Sequence, residues 1–192
     1  MNLNNLFELI KFKSKYIFKN RQIVLSPLFS ILIVVIYKNI LIDDIENVLQ
    51  IGLLFNITLS SIMMTCIPLA EDKEKKTLKT LMISTVSSTE YITATVFSPL
   101  LIVTIVNIII LFITKAVFSS FFNLIIFIVV SSLTIIVSII IGIIMGLASK
   151  SQSQASMIAA PISMALIFIP FLGTFLYNNI IPELFIDFQK TS

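Results

Sequence analysis

The chain has 192 residues, of which 57% are hydrophobic and only 12% are charged, and its net charge is +3. Soluble domains contain about 25% charged residues, so this composition argues against a soluble enzyme, a nucleic-acid-binding protein and a disordered chain. One cysteine, Cys66, and no histidine exclude an internal disulfide, the usual zinc, haem and copper sites, and catalysis by an imidazole base.

The first predicted element is an amphipathic helix over residues 1–21. On a helical wheel Leu6, Ile10 and Phe18 share one arc, while Lys11 and Lys15 share another. The stretch has too few apolar residues to cross a membrane. We therefore expect an interfacial helix that lies in the headgroup plane against anionic lipid. The alternative is a soluble helix that packs on another surface.

Five apolar runs follow, and each is long enough to cross the hydrocarbon core, which needs about 20 apolar residues. They predict an all-α membrane protein with spans at residues 22–42, 47–70, 91–114, 121–148 and 157–177. The runs do not alternate between apolar and polar residues, so helices are favoured over a membrane β-barrel. No A-x-A-like site follows the first run, so we expect no cleaved signal peptide. Residues 1–192 are predicted to form one transmembrane domain.

Basic residues are distributed unequally between the two sides of the membrane. Ten of them precede the first span or lie in the loops at 71–90 and 149–156, whereas three lie on the other side. The positive-inside rule then predicts that the N-terminus and these two loops are cytoplasmic. With five spans, the C-terminal tail at 178–192 would lie outside.

Residues 71–91, EDKEKKTLKTLMISTVSSTEY, form the only substantial polar stretch. Acidic residues precede basic residues by four positions, an order that stabilises a helix; the pairs are Glu71 with Lys75 and Asp72 with Lys76. A small apolar edge at helical spacing is formed by Leu78, Leu81 and Met82. The pattern predicts a short surface helix over 71–86 whose charged face meets something outside the membrane. The alternative is a solvated linker.

Small and polar residues form stripes within the spans. Gly142 and Gly146 make a G-x-x-x-G pair in the fourth span, Asn56 and Ser60 share a face of the second span, and Asn107 lies in the third span. Helix–helix packing is the favoured interpretation, and a substrate path between two copies of the chain is the alternative. Spans two to five lack deep charged residues, which argues against a proton-driven transporter and a channel with charged rings.

The polar stretch resembles a motif of the permease subunits of ABC-2 type exporters, E-x-E-K/R-x-G-T-L-x-x-L-L-x-x-P-x-S. At Lys76, where glycine is usual, the chain departs from this motif. The resemblance implies a coupling helix that docks in a cleft of a separate cytoplasmic ATPase. The residues to which it gives this coupling role are Glu71, Asp72, Glu74, Lys75, Lys76, Thr77, Leu78 and Leu81.

The resemblance extends over nearly the whole chain. Residues 142–161 are similar to the family's junction between the fourth and fifth spans, and 1–21 is similar to its elbow helix. Family members usually have six spans, whereas this chain has five predicted spans, and residues 180–188 look like the start of the family's outer segment. The chain has no G-x-x-x-x-G-K-[ST] loop for ATP.

The resemblance implies the permease subunit of an ATP-driven exporter in a bacterial cell membrane, and not an enzyme. The partners would be an ABC ATPase subunit, a second permease copy and membrane lipid, with no nucleic acid. The permease would hold no cofactor, since ATP and Mg²⁺ bind the ATPase. The expected substrate is amphipathic, such as a peptide, bacteriocin or antibiotic. The alternatives are a permease for haem or another cofactor or ion, and a non-transporting immunity or scaffold subunit.

Overall fold

The computed structural model describes residues 3–40, 45–76, 87–115 and 121–175. Within these ranges the chain forms six helices and no strand, which confirms the all-α prediction. The helices are α1 (Leu3–Lys19), α2 (Arg21–Ile40), α3 (Ile45–Glu74), α4 (Ser88–Thr114), α5 (Phe121–Ala148) and α6 (Gln152–Phe175). Five of them, α2 to α6, are long and apolar enough to cross a membrane.

The boundary between α1 and α2 lies at Asn20. The side-chain Oδ1 of Asn20 accepts a hydrogen bond from the backbone N–H of Gln22 at 3.1 Å. Asparagine in this position caps a helix N-terminus, because it satisfies a backbone donor that has no partner within the helix. Arg21 therefore begins α2, although the sequence analysis assigns it to the elbow helix over 1–21.

The second span continues further than its apolar run. The prediction ends this span at residue 70 and begins a separate helix at residue 71, whereas α3 continues past residue 70 to Glu74. The chain leaves the helix at Lys76, which adopts a left-handed backbone conformation with φ of 56°. Residues 71–74 are thus the last turn of α3. The rest of the predicted coupling helix, 77–86, and the tail at 178–192 lie outside the described residues.

Helix α3 is the central element of the bundle. In its most apolar window 67% of the residues are buried, compared with 17% in α5 and 28% in α2. Its buried side chains Ile57, Met64 and Ile67 belong to one core cluster with residues of α1, α2, α4 and α5. A displacement of α3 would therefore disturb the packing of most of the molecule.

Two glycines allow α5 to approach α3 closely. A Cβ atom at Gly142 would lie 3.0 Å from the carbonyl oxygen of Ile62, and one at Gly146 would lie 2.9 Å from that of Cys66. Side chains larger than hydrogen at these positions would meet the backbone of α3, which has little freedom to move. The G-x-x-x-G pair therefore lies in a helix–helix contact of the kind that small residues form within membranes.

The elbow helix α1 packs on the bundle along one face only. Ile17 and Lys13 on this face are buried, whereas Phe7, Phe12 and Phe18 are exposed. The exposed phenylalanines suit the acyl region beneath the lipid headgroups. Because burial of an ammonium group requires a charged or hydrogen-bonding partner, we describe the partners of Lys13 below.

Candidate functional site

Charged side chains cluster around the last turn of α3, at residues 71–75, which we call the α3 junction. Because an α-helix has 3.6 residues per turn, consecutive side chains point about 100° apart. Neighbouring residues of the junction therefore reach different parts of the bundle. The arrangement lets one helix end hold several other helices at once.

Asp72 connects α3 to the elbow helix and to the start of α4. Its Oδ2 accepts a hydrogen bond from the Lys13 ammonium at 2.7 Å and a second from the Tyr91 hydroxyl at 2.6 Å. Lys13 also donates to the Tyr91 hydroxyl oxygen at 3.0 Å and lies 4.1 Å from the centre of the Tyr91 ring. The three side chains thus form a closed polar cluster with a cation–π contact.

Lys13 is only 5% exposed, and its environment acts on its charge in two opposing ways. Burial lowers the pKa of the Lys13 ammonium below its ordinary value, while the Asp72 carboxylate acts in the opposite direction and favours the charged form. The ion pair between them is well shielded, with 7% and 21% of the two side chains exposed. Such a pair loses stability when either partner is removed, because a buried charge is left behind.

Lys73 and Glu74 connect α3 to the junction between α5 and α6. The Lys73 ammonium donates to the backbone carbonyls of Leu147 at 2.6 Å and Ser149 at 3.1 Å, at the end of α5. The Oε2 of Glu74 accepts from the backbone N–H of Gln152 at 2.8 Å, at the start of α6. A cation at a helix C-terminus and an anion at a helix N-terminus both complement the helix dipole and satisfy free backbone groups.

Glu71 and Lys75 form the salt bridge that their spacing predicts, at 2.5 Å. Glu71 is 7% exposed, whereas 67% of the Lys75 side chain is exposed. The Glu71 carboxylate raises the pKa of Lys75 above its ordinary value. The Lys75 charge therefore lies at the outer surface of the α3 junction, where another molecule can reach it.

The start of α4 is defined by a capping box. Glu90 and Ser87 exchange hydrogen bonds: the Ser87 Oγ accepts from the Glu90 N–H at 3.2 Å, and the Glu90 Oε2 accepts from the Ser87 N–H at 3.1 Å. This pairing satisfies two backbone donors at once. It places Glu90 in the first turn of α4, one residue before the predicted third span, and positions Tyr91 towards Asp72.

Three residues of this site were not predicted from the sequence. Lys13 and Tyr91 complete the Asp72 cluster, and Lys73 caps α5, yet none of the three is among the predicted site residues. One signal was present for Lys13, because it lies four positions before Ile17 and three after Ile10, and therefore on the apolar arc of α1. The partners of Lys73 are backbone carbonyls of a distant helix, which no local pattern indicates.

Of the other predicted coupling residues, Lys76 ends the described segment and is exposed. Thr77, Leu78 and Leu81 lie outside the described residues. Asp72 is half-buried and Glu74 is exposed, but the carboxylates of both accept hydrogen bonds from neighbouring helices. The proposed direct contact of these two side chains with an ATPase is therefore revised below.

The polar residues within the spans meet at a break in the α-helical pattern of α3. Asn56–Ser60 forms π-helical turns, which occur frequently at functional sites. The Nδ2 of Asn56 donates to the Asn107 Oδ1 at 2.7 Å and to the Val103 carbonyl at 3.0 Å, so α3 and α4 are joined. Ser60 is also fully buried. In this structure the Asn56 face therefore lies in a helix contact.

Comparison with known proteins adds one finding to this geometry. No curated protein and no solved structure matches the chain. The family model of the ABC-2 type transporter matches residues 4–192, which is nearly the whole chain and includes the elbow helix, the spans and the α3 junction. This match confirms the resemblance seen in the motif at 71–87. The chain belongs to the ABC-2 type transporter family and is a multi-pass membrane protein.

Proposed function

We propose that this permease subunit works as an exporter driven by a separate ATPase, with the α3 junction as the element that passes the ATPase's motion to the spans. Membership of the ABC-2 family supports the role of permease subunit. The orientation we propose places the α3 junction and the N-terminus in the cytoplasm of a bacterial cell, because ten of the thirteen basic residues lie on that side.

One observation carries the proposal: within three residues, the end of α3 is bonded to four other helices. Asp72 holds α1 and α4, Lys73 holds α5, and Glu74 holds α6. A force on the connector that follows α3 reaches these helices through short polar bonds. Packed interfaces of this kind change between discrete arrangements rather than deforming continuously.

We propose different roles for different members of the predicted coupling residues. We assign Asp72 and Glu74 to transmission within the bundle, because their carboxylates already accept hydrogen bonds from neighbouring helices. Contact with the ATPase then falls to Lys75 and Lys76, which are exposed. Thr77, Leu78 and Leu81, which follow them in the sequence, are proposed to continue this contact.

The proposed cycle follows from this assignment. ATP and Mg²⁺ bind the partner ATPase, and closure of the ATPase dimer displaces the connector and the α3 junction with it. The spans of two permease copies, identical or different, then switch between inward and outward access. We propose an amphipathic substrate, because the described spans face one another with apolar, hydroxyl and amide side chains.

The test is a double charge reversal at the exposed lysines, Lys75→Glu with Lys76→Glu, in the complex expressed with its ATPase subunit. Both substitutions put carboxylates where we place an ATPase contact. We expect co-purification of the ATPase to fall about tenfold, and transport-coupled ATP hydrolysis with it, while the permease remains in the membrane.

The matched control is Lys11→Glu with Lys15→Glu, which reverses two exposed charges of α1 on the same side of the membrane. We expect this variant to retain the ATPase. Retention of the ATPase by the Lys75 and Lys76 variant at the level of the unmodified chain would refute the proposed contact.

A further inference from the structure

A cleft of about 600 Å³ lies between α4 and α5, at the end of α4 opposite to the α3 junction. It opens because α5 leaves the bundle along half of its length. From Ile135 onwards α5 has buried residues that face α3, whereas none of the residues from 121 to 134 is buried. We call this space the α4–α5 cleft.

The walls of the α4–α5 cleft are apolar in character. Ile108, Phe112 and Ile128 line it and are exposed. The hydroxyls of Thr104 and Ser132 also line it, but each donates to a carbonyl of its own helix, at 2.7 and 2.9 Å. Their hydrogen-bonding capacity is therefore largely used, and the walls suit a hydrocarbon chain.

The surroundings decide what occupies this space. Both helices cross the membrane, so the cleft faces acyl chains rather than water. Its volume lies within the range of about 300–1,000 Å³ typical of small-molecule sites. An apolar groove of this size at membrane depth is filled by hydrocarbon, because water there would lose its hydrogen bonds.

The mouth of the cleft carries positive charge. Lys115 lines it and is exposed at the end of α4, and it forms no ion pair within the part of the chain that the structure describes. Lys38 lies close by, since its ammonium donates to the Ile113 carbonyl in the last turn of α4. The exposed Lys115 ammonium at the rim favours an anionic group over a zwitterionic one.

We propose that the α4–α5 cleft is a lipid-binding site that takes one acyl chain of an anionic phospholipid, with the phosphate at Lys115. This site lies at the end of the bundle opposite to the α3 junction. It requires neither an ATPase nor a transported substrate, so it stands independently of the function proposed above.

The test is native mass spectrometry of the purified full chain with phosphatidylglycerol and, separately, phosphatidylcholine of the same acyl chains. We expect one phosphatidylglycerol molecule to be retained with about fivefold preference over phosphatidylcholine, because one lysine near an anionic lipid supplies a selectivity of this size. Lys115→Gln should abolish the preference and leave phosphatidylcholine binding unchanged. As a surface substitution, Lys115→Gln leaves the fold intact.

A second variant, Ser132→Phe, fills the cleft and should reduce retention of both lipids. Its matched control is Val130→Phe on the same helix, which faces the separate space between α3 and α5 and should retain both. Unchanged phosphatidylglycerol retention in Lys115→Gln and Ser132→Phe would overturn the proposal. A change of oligomeric mass in Ser132→Phe with unchanged lipid counts would also overturn it, and would identify a contact between copies of the chain.

Discussion

Lys13 and Asp72 illustrate how a single ion pair can hold the membrane-surface end of this bundle together. The two residues lie far apart in the sequence, yet their charges are 2.7 Å apart and covered by the Tyr91 side chain. The shared oxygen of Asp72 accepts from both partners. The arrangement couples the position of the elbow helix to the position of α3.

We predict that Lys13→Met lowers the free energy of unfolding by about 2 kcal/mol, because the Asp72 carboxylate loses its charged partner in a shielded site. Asp72→Asn should cost a similar amount. The double variant should lose clearly less free energy of unfolding than the sum of the two single losses, because the two side chains act as one unit. Denaturant unfolding of the purified protein in detergent measures all four forms of the cycle.

Lys11→Met provides the control for this cycle, because Lys11 is exposed on the same helix. Its effect should stay within about 0.5 kcal/mol. Strictly additive losses in the Lys13 and Asp72 variants would show that the two residues act separately.

Local sequence patterns predict part of this site, and they miss the residues whose partners lie on other helices. The spacing of Glu71 and Lys75 predicts their salt bridge, because a local helical rule is sufficient. Asn107 has no sequence neighbour that indicates its partner, and only the fold brings Asn56 to it. Lys13 is similar, because its charge suggests an exposed residue and its partner lies in another helix.

At the level of elements, the contact between α3 and α5 depends on the absence of side chains at two positions. A Cβ atom added at Gly146 would lie 2.9 Å from the carbonyl oxygen of Cys66. Backbone oxygen cannot swing aside as the end of a flexible side chain can. The two helices would therefore have to separate to admit a larger residue.

We predict that Gly146→Val destabilises the protein by about 1–3 kcal/mol, the usual cost of overpacking a close contact. Ala148→Val is the matched control on the same helix, because Ala148 is exposed. Thermal unfolding of both variants in the same detergent makes the comparison. Equal midpoints for the two variants would contradict the close approach of α5 to α3.

The five spans are predictable because their apolar runs need only composition and length, and the fourth predicted span, 121–148, has the same bounds as α5. The end of α3 is less predictable, because hydropathy marks where the chain leaves the lipid rather than where the helix ends. Residues 71–74 are charged but continue the helix, since Asp72, Lys73 and Glu74 find partners on neighbouring helices.

For the molecule as a whole, the two ends of the bundle are built differently. At the α3 junction, short polar bonds connect α3 to four other helices. At the opposite end, α5 diverges from α4 and leaves the α4–α5 cleft between them. This asymmetry fits the proposed function, in which a force at the α3 junction changes the helix packing at the opposite end of the bundle.

The most direct test of the proposed coupling is to determine on which side of the membrane the α3 junction lies. In a Cys66→Ala background, single cysteines at Lys75→Cys and Lys115→Cys are treated in intact cells with a membrane-impermeant thiol reagent. We expect the cysteine at position 115 to react from outside and the one at position 75 to react only after the membrane is opened. Reaction of the cysteine at position 75 in intact cells would contradict coupling to a cytoplasmic ATPase.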